Sequence, residues 1–214
     1  MARPVDANSE VTKARVLESA RVLFSERGAG DTSMRDIAKG AGVSLATVHH
    51  YFGSKGELFQ RCVDEMYIEL STLRGELETL VQHATDPVSA FLSVIPATYA
   101  FVRKHRREVQ LLMRTVIGTG RLEVKRRDEF LLPILDQGSQ LLSSVTGVDI
   151  VRARMTVLSL NHLVIRYALT SGEDLVLVTG VSGEGTLDER EAHAVVRVEE
   201  HLKDLALAML LQKS

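Results

Sequence analysis

The chain has 214 residues, enough for one large domain or a small domain joined to a larger one. Hydrophobic residues at 45% and charged residues at 25% describe an ordinary folded protein, and a formal net charge of -2 carries no electrostatic signature of a nucleic-acid partner. A single cysteine, Cys62, excludes an intramolecular disulfide and a cysteine-based zinc site. No run of about 18 apolar residues is present and no apolar signal core follows Met1, so the expected location is cytoplasmic.

Few prolines together with abundant Ala, Leu, Glu and Arg favour helices. Residues 1–9 lack periodicity and read as a flexible arm. Arg3 in that arm is a candidate for a minor groove, though a disordered tail is the simpler reading. A helix follows from about Glu10 to Arg27, with Val16, Leu17, Ala20, Leu23 and Phe24 on one face and Gly28 at its stop. Ser33 and Asp36 form a near capping box for a short helix, Met34 to Ala41. Gly42-Val43 turns the chain, and Ser44 caps a second short helix, Leu45 to Tyr51. Ser54 and Glu57 then open a long helix carrying Phe59, Val63, Met66, Leu70, Leu73, Leu77 and Leu80 at steps of four and three.

Asp86-Pro87 starts the next helix, to about Arg103; further helical patterns cover about 106–117 and 122–144, with Pro133 a candidate kink. Asp149 caps a helix to about Thr170, and Thr186 with Glu189 opens a last helix to about Leu211. Between them, 174–185 reads as strand or loop. The basic runs at 103–107 and 125–127 read as solvated helix ends and faces. The fold class is therefore all-α, with about nine helices.

The informative segment is Thr32–Lys55, TSMRDIAKGAGVSLATVHHYFGSK: two short helices around a tight glycine turn. Small residues such as Ala38 and Ala41 let the helices cross closely, and Ile37, Val43 and Val48 fit their inner faces. A helix-turn-helix needs this, one helix braced across the backbone and the second entering the major groove.

Here the sequence resembles the tetracycline-repressor (TetR) family. The matching residues are Ala20, Leu23, Phe24 and Gly28, then Ser33-Met-Arg-Asp-Ile-Ala, Ala41-Gly-Val-Ser, Thr47, Tyr51-Phe52, Ser54-Lys55 and Glu57-Leu58. The resemblance covers about residues 10–60 and implies a three-helix DNA-binding domain at 10–55 and a ligand-binding and dimerisation domain at 56–214. It implies that Leu45, Thr47 and His49 face base edges, while Ser33, Ser44, His50, Tyr51 and Lys55 touch phosphates. Thr47 has the chemistry for a base contact, and Lys55 for a phosphate near a helix N-terminus. His49 departs from the family's frequent tyrosine and leaves the operator sequence open. The resemblance further implies a repressor, dimeric on a palindromic double-stranded operator and released by a small effector.

Two other sites follow from periodicity. The helices over 86–170 are apolar with sparse polar points, which suits a pocket for a largely apolar effector. Phe91, Ile95, Tyr99, Met113, Val116, Leu135, Asn161 and Tyr167 are its expected lining, with Tyr99 and Asn161 as polar handles. Met155, Leu158, His162, Ile165 and Leu169 form one seam of their helix, and Val157, Leu160, Val164 and Tyr167 a second. With Val195, Val198, Leu202, Leu205 and Met209 on the last helix, the first seam predicts a four-helix homodimer interface.

An enzyme is the competing class. Residues 175–185 suggest a strand and glycine loop before a helix, but GxGxxG spacing is absent, and neither HExxH nor GxSxG occurs. No catalytic set, metal site or cofactor is expected. A regulator of the same fold controlled by a protein partner, and an enzyme or carrier with a vestigial helix-turn-helix, remain the alternatives.

Overall fold

The structure, a computed structural model, describes residues 5–211. Arg3 and the start of the expected arm lie outside them. The described residues are helical and contain no strand. In chain order they form α1 (Val5–Asp31), α2 (Met34–Ala41), α3 (Leu45–Phe52), α4 (Lys55–His83), α5 (Pro87–Lys104), α6 (Arg106–Thr119) and α7 (Val124–Arg126). A π-helical turn (Arg127–Leu131), α8 (Leu132–Thr146), α9 (Ile150–Leu169), α10 (Gly172–Thr179) and α11 (Leu187–Leu211) complete them. α1 starts at Val5, within the stretch expected to be a flexible arm, and is broken at Gly28, whose φ of 82° only glycine adopts without strain.

Two compact units divide the chain, and the division differs from a cut at residue 55. The first comprises residues up to Ser71 together with Arg107–Arg121. Its core is Val16, Ala20, Phe24, Ile37, Val48, Leu58 and Cys62, all without exposure. Each of the larger apolar side chains there contributes about 1.5–3 kcal/mol by leaving water. Phe59 meets Phe24 edge-on at 5.5 Å. α6 belongs to this unit with Val109 and Leu111 buried and with a set of charged contacts. Arg21 on α1 stands 2.5 Å from Glu65 and 3.0 Å from Glu108, Arg107 pairs with Glu18, and Arg114 donates to the Glu26 carbonyl at 3.1 Å. Hydrophobic periodicity cannot reveal the charged part of this attachment, and α6 reads in sequence as part of the C-terminal domain.

The second unit comprises Thr72–Arg106 and the chain from Leu122 onward. α8 packs on α9, α5 packs on α8, α9 and α11, and α10 packs on α11. Its core includes Phe91, Ile95, Tyr99, Leu142, Leu160, Val164, Leu175, Val198 and Leu202. The caps read from sequence are present: Asp86 accepts from the amides of Val88 and Ser89, and Asp149 from those of Val151 and Arg152.

Two expectations are corrected, for the segment over 174–185 and for the basic runs. The segment over 174–185 is neither strand nor loop at its start: α10 occupies Gly172–Thr179. The β-branched run there suggests a strand, but the Ser171 side chain accepts from the Asp174 amide, Gly180 closes the helix, and Leu175 and Val176 are buried. Pro133 lies within an unbroken helical run from Val124 to Thr146, where a continuous helix was expected. The irregularity falls just before it, where the Leu132 amide bonds to the Arg127 carbonyl five residues back. The basic runs are not simply solvated. His105 and Arg126 are buried, Arg103 pairs with Glu191, and Arg106 donates to the carbonyls of Leu169 and Thr170 at the end of α9.

Candidate nucleic-acid interface

α2 and α3 are built by their caps. Ser33 and Asp36 close a reciprocal capping box, with the Asp36 amide donating to Ser33 Oγ at 3.1 Å. The hydrogen bonds from Ser33, side chain before backbone, hold the Asp36 carboxyl below its ordinary value. Gly42 ends α2 at φ 64°, a left-handed conformation, and the Val43 amide returns to the Ala38 carbonyl at 3.0 Å. Ser44 then caps α3, accepting from the Thr47 amide at 3.0 Å. Ile37, Ala38, Ala41 and Val48 are buried between the helices. The turn is thus fixed by two serine caps, one glycine and four inward apolar residues.

α1 braces this pair through contacts that periodicity does not show. Arg15 donates to the carbonyl of Ala41, at the C-terminal end of α2. Ser19 Oγ donates to the Ile37 carbonyl at 3.0 Å, and buried Thr32 donates to the carbonyl of Gly28 at 2.8 Å. Lys13 lies 5.6 Å from the centroid of the Tyr51 ring, a cation over its face. These residues depend on α1 crossing α2, so sequence spacing carried no signal for them.

The outward face of α3 holds Ala46, His49 and His50, which are exposed, with Leu45, Thr47, Tyr51 and Phe52 half-buried. Thr47 Oγ1 lies 2.8 Å from Ser44 Oγ, which fixes its rotamer. His49 Nδ1 donates to the Gly53 carbonyl at 2.8 Å, leaving Nε2 outward. Lys55 Nζ donates to the carbonyls of Gly30 at 3.2 Å and Thr32 at 3.0 Å. Its ammonium therefore ties the α1–α2 loop to the start of α4, with one N–H left over. Ser33 and Ser44 are exposed at the N-termini of α2 and α3. Their hydroxyls serve as caps, so anion contacts there fall to the backbone amides and the helix dipoles.

The remaining candidates are distributed as follows. Phe91, Ile95, Tyr99 and Leu135 are buried in the second unit, with Asn161 and Tyr167 half-buried there, whereas Met113 and Val116 lie on α6 in the first unit. An open groove of about 960 Å³ in the first unit, bordered by Arg15, Ser19, Arg27, Asp36 and Lys39 among others, includes none of them. On α9 the two seams separate. Val157, Leu160 and Val164 are buried within the chain, while Met155 is 59% exposed, His162 is exposed and Leu158, Ile165 and Leu169 are half-buried. On α11, Val195, Leu205 and Met209 are half-buried, but Val198 and Leu202 are 2% and 0% exposed. Those last two pack their own unit's core, which corrects their expected place in a seam between subunits. Among the described residues no group of three or more His, Cys, Asp or Glu is arranged to hold a metal, and no helix is long and apolar enough to cross a membrane.

Residues 16–62 match the family model described as bacterial regulatory proteins, tetR family. The chain is 32% identical over 106 residues to a probable HTH-type transcriptional regulator, YttP, of Bacillus subtilis, covering 49% of this chain and 50% of that protein. It is 32% identical over 104 residues to the HTH-type transcriptional repressor KstR2 of Mycobacterium tuberculosis, covering 45% and 47%. The matched region spans about half the length of these curated relatives. A TetR-like transcriptional regulator from Rhodococcus sp. RHA1 shares the fold over the full length of both chains, at a TM-score of 0.68 and 22% identity.

Proposed function

From the match of residues 16–62 to the model of the tetR family of bacterial regulatory proteins, we propose that the chain is a member of that family, a cytoplasmic transcriptional repressor that binds operator DNA as a homodimer and is not an enzyme. The observation that carries this is α3: a short helix capped at Ser44, seated on α2 by Val48, and presenting Thr47, His49 and His50 outward. A major groove about 12 Å wide admits such a helix. Leu45, Thr47 and His49 read base edges in this proposal, while Tyr51, His50 and the first turns of α2 and α3, entered at Ser33 and Ser44, engage phosphates through the open amides that follow the two capping serines. The spare N–H of Lys55 adds one more phosphate contact.

Two-fold symmetry places two α3 helices on successive major-groove faces, so the operator is palindromic. The exposed seam of α9, with the half-buried apolar residues of α11, forms the dimer interface. A largely apolar effector enters the second unit among α5, α8 and α9 and releases the dimer from DNA. The decisive experiment selects duplexes from a randomised library with purified protein and measures their affinity by fluorescence anisotropy. A palindromic consensus is expected, and Thr47→Ala is expected to lose about 1–3 kcal/mol at one base pair per half-site. Recovery of no consensus, or equal affinity of wild type and Thr47→Ala for every variant duplex, rejects the proposal.

A further inference from the structure

One face of α5 changes character along its length. Phe91, Ile95, Tyr99 and Arg103 follow one another at steps of four, so they share a face that runs from apolar to phenolic to cationic. Phe91 and Ile95 are buried, Tyr99 is 0% exposed and the Arg103 side chain is 16% exposed. Neither polar group is fully used. Tyr99 Oη and Arg103 Nη1 are buried without a well-aligned hydrogen bond, although the guanidinium acts on the Tyr99 oxygen and its Nη2 bonds to Glu191. Buried donors left without acceptors are uncommon, because each forfeits its hydration without compensation.

The surroundings favour an anion. Arg106 donates to the neutral carbonyls of Thr170 at 3.0 Å and Leu169 at 3.3 Å. Of the carboxylates, Glu191 contacts Arg103 directly, and Glu199 acts on the Tyr99 hydroxyl only through space. Two guanidiniums thus stand against one carboxylate in contact. Burial pushes the Tyr99 hydroxyl above its ordinary value, so it is a protonated donor at neutral pH. Burial, and then the neighbouring Arg103, lower Arg106 from its ordinary value.

We infer that Tyr99 and Arg103 form a carboxylate-binding cradle at the polar end of the α5 face, so that the effector is an apolar molecule bearing a single carboxylate. The carboxylate accepts from Tyr99 Oη and Arg103 Nη1, and the apolar body lies toward Ile95 and Phe91. This rests on the effector-released reading above and narrows it to one class of ligand.

The test uses the full chain without DNA. Octanoate, dodecanoate and 4-phenylbutyrate are each titrated by calorimetry beside the neutral alcohol of the same skeleton. At least one carboxylate is expected to bind at least about tenfold more tightly than its alcohol, the worth of a charge-assisted hydrogen bond. That preference is expected to disappear in Tyr99→Phe and in Arg103→Gln. Tyr99→Phe removes one oxygen that lacks a well-aligned hydrogen bond, so its thermal midpoint stays at or above that of wild type; it decides the matter if Arg103→Gln fails to fold. Equal binding of acid and alcohol, binding of none of the three acids, or an undiminished preference in Tyr99→Phe overturns the inference. Operator binding is measured separately. A protein that selects an operator but shows no acid preference loses the cradle and keeps the repressor reading, and one with the preference but no operator does the reverse.

Discussion

Replacing Leu202 and Met155 by glutamate separates a core position from an interface position. Leu202 is 0% exposed within a single chain. Loss of its packing costs about 2–5 kcal/mol. An unpaired carboxylate in the same space adds several kcal/mol more. Domains of this size are stable by about 5–15 kcal/mol, so Leu202→Glu is expected to unfold the second unit. Met155 is 59% exposed on the outer seam of α9, where a surface substitution costs within about 0.5 kcal/mol. If that seam is the dimer interface, however, Met155→Glu enters it twice about the two-fold axis. A loss of about 3 kcal/mol of association weakens the dimer more than a hundredfold. Sedimentation velocity is expected to show a monomer for Met155→Glu with helical circular dichroism at 222 nm preserved, while Leu202→Glu loses helical signal. A dimeric Met155→Glu refutes the assignment of the α9 seam; a folded Leu202→Glu with an unchanged thermal midpoint refutes the placement of α11 in the core.

Three further outcomes follow from particular contacts. Burial pushes the Cys62 thiol up to about 12, so the native protein is expected to be inert to a thiol reagent at pH 8 and to react with one equivalent in denaturant; prompt native labelling refutes its burial. Glu57 is held below its ordinary value of 4.5 by the backbone and then the side-chain hydrogen bond of Ser54. Its folded value is the lower one, so its stabilising contribution is complete above the ordinary value and is lost as pH falls through the folded value. The thermal midpoint of Glu57→Gln is therefore expected to fall less than that of wild type between pH 6 and pH 3, and parallel curves contradict the cap. Lys55→Ala removes both carbonyl contacts of the ammonium and is expected to lower stability by about 1–2 kcal/mol and the salt slope of operator binding by about one. An unchanged midpoint with a reduced slope assigns Lys55 to DNA alone.

What the sequence determined by itself is local. Ser33, Asp36, Gly42 and Ser44 bond to groups within a few residues, so the spacing of Thr32–Lys55 was enough to read two short helices and their turn. The caps at Asp86, Asp149 and Thr186 were legible for the same reason. Tertiary structure decided which apolar face meets what. Periodicity shows two seams on α9, the one through Met155 being the expected interface, and it is packing that turns Val157, Leu160 and Val164 inward and leaves Met155 outward. On α11 the spacing of Val198 and Leu202 was real, but its partner is the chain's own core. The polar ties are further from any sequence signal: Arg21 to Glu108, Arg103 to Glu191 and Arg106 to Leu169 each span more than sixty positions. Such contacts depend on where whole helices cross, and a charged side chain looks the same in sequence whether it meets water or a buried partner.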